Sequence, residues 1–265
     1  MTSTSTEVDF KAMGIYVETP TGDRVGNELR EMQKEQGGDS TLMTPRDVYL
    51  ASSMHYLNDE PLEQMNKLFN LEDGQAHRIL DFGAGYAGDA RIFANERTSV
   101  TCVEIQKHIH TQAQKLTDDL ERSGTLCKNR VFHENIDITK PEHYLATTLT
   151  DTTNTDTGSD TTTEINSGKF DHAYSMLVIL HIENRSAVFS SLKHHLKPGG
   201  DLYIEDFYAK GELSEQDKEQ LAGPVACPYV PSKSRYLQVS SSLSLRLKGL
   251  YFYTVGSCFM LRGAF

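Results

Sequence analysis

Short apolar runs alternate along this chain with segments in which apolar residues recur at helical spacing. The runs are typical of buried parallel strands: HRILDFGAG (77–85), SVTCVEI (99–105), NRVFHENI (129–136), FDHAYSMLVILHI (170–182) and LKPGGDLYIEDF (196–207). Between them the pattern predicts helices from about residue 88, over 107–123 and over 185–196. Because strands and helices that alternate in this way form right-handed βαβ units, we predict an α/β fold around a parallel sheet.

Two more helices are predicted before the first strand. Thr44 can cap one that has Pro45 in its first turn, and the other runs from Pro61 to Leu71. Residues 1–43 are polar and are predicted to form an N-terminal arm with a short helix around 28–35. The main domain is therefore expected to span residues 44–238.

Two segments depart from this pattern. Residues 146–168 carry ten threonines between positions 147 and 163 and almost no apolar side chains, so we predict a disordered surface insertion. Residues 239–265 form an atypical C-terminal segment with no acidic residue. This segment is predicted to form a closing hairpin with Gly256 and Ser257 in its turn.

Composition narrows the possible partners. The net charge of −11 disfavours nucleic acids and anionic membranes, which are themselves negatively charged. The four cysteines form no C-x-x-C pair, so neither a metal site nor a disulfide is expected. The N-terminus has no apolar run typical of a signal peptide, and the C-terminal apolar stretch is shorter than the roughly 20 residues of a membrane span. We therefore expect a cytoplasmic protein that acts on a small molecule.

The turn LDFGAGYAGDA (80–90) is typical of a ligand-binding loop. Glycines allow the backbone to turn sharply and approach a ligand, while the first N–H groups of the following helix point outward. The spacing G-x-G-x-x-G is found in dinucleotide sites, but the same loop can hold the carboxylate end of a methionine-derived ligand. The residues near the turn therefore have to show which of these two ligands it binds.

Acidic residues lie at the ends of three successive predicted strands. The Asp81 carboxylate would repel a pyrophosphate, whereas it favours a cationic sulfonium ligand with an α-ammonium group. Glu104 can bind the ribose hydroxyls of either ligand. Asp137 suits the adenine amino group of a sulfonium donor, with Ile138 packing on the ring. Together the acids favour S-adenosylmethionine, and an NAD-dependent oxidoreductase is the rival interpretation.

With these motifs in this order, the sequence resembles class I S-adenosylmethionine-dependent methyltransferases over about residues 45–210. The resemblance implies a Rossmann-like, doubly wound, mostly parallel seven-stranded sheet, although residues 239–265 do not resemble the helix and two strands that usually complete it. Ala87 also departs from the family, because many members have glycine there. The implied donor-binding residues are Asp81, Gly83, Ala84, Gly85, Glu104, Ile105, Asp137, Ile138 and Met176.

The segments DFGAGYAG, YSMLVILHI and LKPGGDLYIEDF resemble the small-molecule branch that includes sarcosine/dimethylglycine and phosphoethanolamine N-methyltransferases. The resemblance implies that His181 deprotonates or orients the acceptor amine, and that Tyr49 closes over the donor. From the residues alone, His181 follows a strand end and can titrate near neutral pH, whereas Tyr49 is equally consistent with a core side chain. Asp206 is expected at the end of the fifth strand, where it would hold a cationic substrate or orient a nucleophile.

One departure concerns the acceptor. Phosphobase-type relatives carry an arginine–aspartate pair where this chain has Met176 and Leu177. Because two apolar side chains cannot bind a phosphate, the sequence disfavours phosphoethanolamine and favours a smaller or more hydrophobic acceptor. We expect methylation of an amine or amino-acid-like molecule; thioether, hydroxyl and carbon acceptors, and a catalytically impaired donor-binding protein, are the alternatives.

Overall fold

The computed structural model describes residues 24–35, 42–53, 59–145, 169–209, 211–222, 227, 229–235, 238, 249–255 and 258–264. Within them, one sheet contains β1 (His77–Phe82), β2 (Thr98–Val103), β3 (Val131–Glu134), β4 (Phe170–Met176), β5 (Leu196–Ala209), β6 (Gly249–Val255) and β7 (Cys258–Ala264). The order across the sheet is β3-β2-β1-β4-β5-β7-β6. Strands β1 to β5 are parallel, and β7 is antiparallel to both β5 and β6. The predicted α/β, Rossmann-like fold with a mostly parallel sheet is confirmed.

The strand order reverses between β1 and β4. From β1 the chain proceeds to β2 and β3 on one side, and it then returns to place β4 and β5 on the other. Open α/β sheets bind their ligands outside the carboxyl ends of the strands at such a reversal. The glycine turn that follows β1 therefore lies where this topology places a ligand.

The helices are α1 (Arg24–Glu35), α2 (Pro45–Ser52), α3 (Glu60–Phe69), α4 (Gly88–Phe93), α5 (Lys107–Ser123), α6 (Arg185–His195) and α7 (Glu215–Ala222). The predicted start of α2 is confirmed. The Thr44 hydroxyl accepts the Asp47 backbone N–H at 3.3 Å, and the Asp47 carboxylate accepts the Thr44 N–H at 2.8 Å. In α1, Val25 and Leu29 are buried, so this part of the polar N-terminal region belongs to the core.

The hydrophobic core has two halves, one on each face of the sheet. The first half packs α1 to α4 against the sheet and includes Val48, Met65, Phe69, Ile79 and Tyr174. The second packs α6 against the other face and includes Leu80, Val188, Leu192, Leu202 and Ile204. Because side chains alternate along a strand, adjacent residues of β1 and β5 contribute to opposite halves.

The fourth strand is shorter than its predicted run. The run FDHAYSMLVILHI was expected to form this strand with His181 just beyond its end, but β4 ends at Met176 and a short 3₁₀ turn covers Ile179–His181. Leu177 between them has a φ of +55°, which strand geometry does not allow. The predictions for residues 1–23, for the threonine-rich segment 146–168 and for the turn at 256–257 lie outside the described residues. No helix in the described ranges is long and apolar enough to span a membrane.

Candidate functional site

The glycine turn leaves β1 and folds toward β2. The backbone N–H groups of Gly83 and Ala84 both donate to the Val103 carbonyl, at 2.9 and 3.0 Å. Gly83 has a φ of +80°, and a Cβ at this position would lie 2.5 Å from the methyl groups of Val178. Two independent constraints, backbone conformation and space, therefore require glycine here.

Gly85 connects the turn to the predicted ribose-binding acid. Its N–H donates to Glu104 Oε2 at 3.0 Å, and the Gln106 N–H donates to Oε1 at 2.8 Å. Glu104 is buried, and burial raises the pKa of its carboxyl group, while these two backbone N–H groups oppose that rise. No atom would lie within 4 Å of a Cβ built on Gly85, so the backbone at Gly85 faces open space.

The last glycine of the motif serves packing. A Cβ on Gly88 would lie 3.1 Å from the Tyr49 Cα and still closer to the Ser52 hydroxyl, so glycine lets α4 approach α2. Ala87, which departs from the family pattern, caps α4 with a left-handed φ of +56°. Its backbone therefore adopts a conformation that glycine reaches more easily.

Asp81, Asp89 and Glu104 lie close enough together for their negative charges to repel one another. Asp81, on β1, is 4% exposed, and burial raises the pKa of its carboxyl group; the nearby Asp89 and Glu104 raise it further. Asp81 lies on β1, Asp89 lies on α4, and Glu104 directly follows β2. A cluster of this kind disfavours a pyrophosphate and favours a cationic ligand.

The predicted adenine side is formed by the ends of β2 and β3. The Asn135 side-chain amide donates to the carbonyls of Glu104 and Ile105, at 2.7 and 3.0 Å, and so connects the two ends. The Asp137 carboxylate accepts the N–H and hydroxyl of Thr139. Ile105 is 50% exposed and offers an apolar surface, whereas Ile138 is 4% exposed and packs in the second half of the core.

The segment that carries His181 packs against the glycine turn. The Leu177 N–H donates to the Glu205 carbonyl at 2.7 Å, and the His181 N–H donates to the Val178 carbonyl at 3.0 Å. Val178 is the residue whose side chain fills the space beside Gly83. His181 is half-buried, and Met176 ends β4 with a partly buried side chain. The structure therefore places Val178, in the segment between Met176 and His181, against the predicted donor turn.

Asp206 does not lie where the sequence predicted. It was expected at the end of the fifth strand, but β5 continues to Ala209 because β7 pairs with it as far as that residue. Asp206 is completely buried, and its carboxylate accepts the Phe207 N–H at 2.9 Å. By strand alternation it shares the face of Leu202 and Ile204, opposite to the face of Glu205.

Tyr49 is a core side chain in this structure. It is 1% exposed, and the Arg46 guanidinium carbon lies 4.9 Å from its ring centroid. Burial raises the pKa of the phenol, and the negative charges of Asp89 and Asp59 raise it further. The structure thus places Tyr49 against α4, beside the acidic cluster.

Sequence reasoning missed three residues of this region. Asn135 lies near the end of the predicted strand NRVFHENI, and its position at a strand end was the available signal. Glu205 is completely buried next to Asp206. Because side chains alternate along a strand, the sequence could have predicted that these two residues lie on opposite faces of the sheet. Arg91 is 1% exposed and donates to the carbonyls of Tyr86 and Ala87, although an arginine on a short helix is ordinarily expected in solvent.

Comparison with known proteins identifies similar folds. A family model described as "Methyltransferase domain" matches residues 51–247. A Galdieria sulphuraria protein assigned as a sarcosine dimethylglycine methyltransferase has a TM-score of 0.56 at 17% identity, over 85% of this chain and 77% of that one. Haemonchus contortus phosphoethanolamine N-methyltransferase 2, in complex with S-adenosyl-L-methionine, has a TM-score of 0.54 at 18% identity, over 86% of this chain and 46% of that one.

A third similar structure is that of an enzyme named for a different kind of substrate. Synechocystis magnesium protoporphyrin IX methyltransferase, with S-adenosylhomocysteine bound, has a TM-score of 0.51 at 13% identity, over 91% of this chain and 99% of that one. No curated protein sequence in the comparison matches this chain. At these identities the three likenesses establish the fold.

Proposed function

Because the chain belongs to the methyltransferase-domain family whose model matches residues 51–247, we propose that it transfers a methyl group from S-adenosylmethionine to the nitrogen of a small amine or amino-acid-like acceptor. The methyltransferase class and the S-adenosylmethionine cofactor are established by the family. The nature of the acceptor and the roles of individual residues are the proposal. The observation that carries it is the packing of the His181 segment on the glycine turn through Val178 and Gly83.

The donor side fits this cofactor. The open space at Gly85 accommodates the methionine end of the donor, and the acidic cluster of Asp81, Asp89 and Glu104 favours its positive charge. Glu104 would accept hydrogen bonds from the ribose hydroxyls, and Asp137 would accept one from the adenine amino group. Of the two isoleucines expected at the adenine ring, the half-exposed Ile105 offers more surface than the buried Ile138.

Bound S-adenosylmethionine supplies a methyl group on a positively charged sulfur, which is already activated for in-line displacement. The chain therefore has to align the acceptor and exclude water. We assign the apolar wall of the acceptor site to Met176 and Leu177. Tyr49 is assigned to the shell that encloses the donor, because it packs against the first turn of α4.

A base is needed only to keep the acceptor amine unprotonated. We assign this task to His181, whose imidazole can accept a proton near neutral pH. Asp206 is completely buried in β5, which leaves it an indirect role in supporting the end of the sheet. Glu205, on the opposite face, is equally buried and accepts a hydrogen bond from the Tyr203 hydroxyl at 3.3 Å.

The experiment that tests this proposal is a transfer assay with a methyl-labelled donor. The full-length chain is incubated with separate pools of glycine derivatives, betaine precursors, polyamines, thioether acids and phenols. We expect label on an amine pool, and no transfer to phosphoethanolamine. Label on a thioether, hydroxyl or carbon acceptor would contradict the proposed acceptor while leaving the family assignment intact.

A further inference from the structure

Arg91 is a buried cation directly behind the glycine turn. It belongs to α4, and only 1% of its surface is exposed. Its guanidinium donates to the carbonyls of Tyr86 and Ala87, the latter at 2.8 Å, so it bonds to the turn itself. It also donates to the Ala113 carbonyl on α5. One side chain thus ties the turn to two helices.

A second connection runs from Arg91 to the edge of the sheet. Its Nε–H donates to the Thr117 hydroxyl oxygen at 3.1 Å, and that oxygen lies 2.8 Å from His133 Nε2. Because Arg91 can only donate, the Thr117 hydroxyl is free to donate its own proton to His133. The chain of hydrogen bonds therefore links the glycine turn to β3, the strand whose end leads to Asp137.

The bonding of Arg91 is unusual for a buried charge. In the described part of the chain its guanidinium bonds to carbonyl and hydroxyl oxygens and makes no direct ion pair, while the nearby Asp81 carboxylate attracts its charge. Burial lowers the pKa of Arg91 to about 10, so it stays charged at neutral pH. Burying a charge that is hydrogen-bonded mainly to carbonyl groups costs free energy. An apolar side chain of similar volume at the same position would not have this cost.

We propose that Arg91 is a positioning residue for the methyl donor. By holding the carbonyls of Tyr86 and Ala87, it fixes the turn in which the Ala87 N–H donates to the Ala84 carbonyl at 2.7 Å, and so keeps the backbone of Gly85 facing the open space assigned to the donor. Through Thr117 and His133 it keeps this turn in register with the strand end that carries Asp137. The inference rests on the donor-binding part of the proposed function and is independent of the acceptor.

The test measures donor binding by calorimetry with S-adenosylhomocysteine as the probe. Arg91→Met removes the hydrogen bonds of the guanidinium group. Arg91→Lys keeps the positive charge but not the planar guanidinium with its several N–H donors. Thr117→Val removes only the connection to β3. Since hydrogen bonds from a charged group are involved, we expect Arg91→Met to weaken binding about 10- to 100-fold. Arg91→Lys should lose less, and Thr117→Val about threefold.

A control separates positioning from general destabilisation. Phe189→Leu perturbs the second half of the core, on the face of the sheet opposite to α4, and should lower stability without weakening donor binding. Amide exchange at Gly85 and Tyr86 should accelerate in Arg91→Met but not in Phe189→Leu. If Arg91→Met fails to fold, the same comparison is made with Arg91→Lys and Thr117→Val.

The proposal is overturned if the Arg91 and Thr117 variants bind the probe as the wild type does. It is also overturned if Phe189→Leu, at equal stability, loses as much affinity. The probe requires no acceptor, so weakened binding in these variants supports the proposal even if no amine is methylated. Conversely, amine methylation with unchanged probe binding would refute the role of Arg91 and leave the proposed function standing.

Discussion

The Gly85 N–H donates to the Glu104 carboxylate over 3.0 Å, so the predicted ribose-binding acid also holds the glycine turn in place. Both carboxylate oxygens accept backbone N–H groups, which directs the remaining lone pairs away from the turn. Donor binding and turn geometry therefore depend on the ionised form of the same side chain. This dependence leads to a prediction about pH.

Donor affinity should fall as the pH is lowered. Burial raises the pKa values of Asp81 and Glu104, so these groups take up protons at a higher pH than ordinary carboxyl groups, whose pKa values are about 4. Above the raised values the carboxylates are ionised and favour the cationic donor; as the pH falls through them, that attraction is lost. Calorimetric titration with S-adenosylmethionine across the acid range would show the decline.

Glu104→Gln tests the assignment of this pH effect. The variant should bind the donor more weakly at neutral pH and should lose part of the acid dependence, because one of the two titrating groups is gone. An affinity that stays constant down to the pH of unfolding would contradict the account. If donor affinity depends on pH in Glu104→Gln as it does in the wild type, Glu104 does not contribute to the pH effect.

The close approach of α4 to α2 makes Gly88 intolerant of a side chain. Gly88→Ala places a Cβ against Tyr49 and Ser52, and the two helices must separate. We expect a loss of about 1–3 kcal/mol in the free energy of unfolding, measured with urea. Gly211→Ala is the control, because no atom would lie near its Cβ; it should change stability by less than about 0.5 kcal/mol. Equal effects at the two positions would refute the steric argument.

Gly83 and Val178 should be energetically coupled. Gly83→Ala brings a Cβ into the Val178 methyl groups and also strains a backbone with φ of +80°. Val178→Ala removes the two methyl contacts at 2.5 Å but leaves the Cβ at 3.0 Å and the backbone strain, so the double variant should recover about 1–2 kcal/mol relative to the sum of the two single variants. The measurement is the free energy of unfolding of all four proteins. If the two substitutions change the free energy of unfolding strictly additively, the side chains at positions 83 and 178 do not repel each other.

His181 should affect turnover and not donor binding. If its imidazole takes the proton from the amine, His181→Ala should lower the rate of methyl transfer by about 10²- to 10⁴-fold. Binding of S-adenosylhomocysteine should stay near the wild-type value. His194→Ala, an exposed histidine near the end of α6, is the matched control and should leave the rate unchanged. Wild-type turnover in His181→Ala would exclude the proposed role.

Local patterns were sufficient to predict much of the fold. Helix α5 begins and ends where the sequence predicted, because its apolar face is regular and Gly124 ends it with a left-handed φ of +80°. The cap at Thr44 was equally readable, since a threonine and an acid three residues later satisfy each other's N–H groups. The glycine turn after the first strand was also readable from the sequence, whereas its position at the strand reversal is given by the structure.

The remaining errors come from contacts that are distant in sequence. An unbroken apolar run cannot distinguish a strand from a buried turn, and β4 ends where the Leu177 N–H bonds to the Glu205 carbonyl. The position of Asp206 depends on how far β7 pairs with β5. Arg91 resembled a solvent-exposed helical residue, because its acceptors lie on the turn and on α5.

The most direct test of the central claim is a single-turnover reaction with an isotopically labelled methyl group on the donor. The full-length chain is used in excess over the donor, with the amine selected in the transfer assay, and the methyl group is followed by NMR. The account predicts that the signal leaves the sulfur of the donor and reappears on the amine nitrogen. A methyl group that stays on sulfur while S-adenosylhomocysteine still binds, or that reappears on oxygen, carbon or another sulfur, would contradict it.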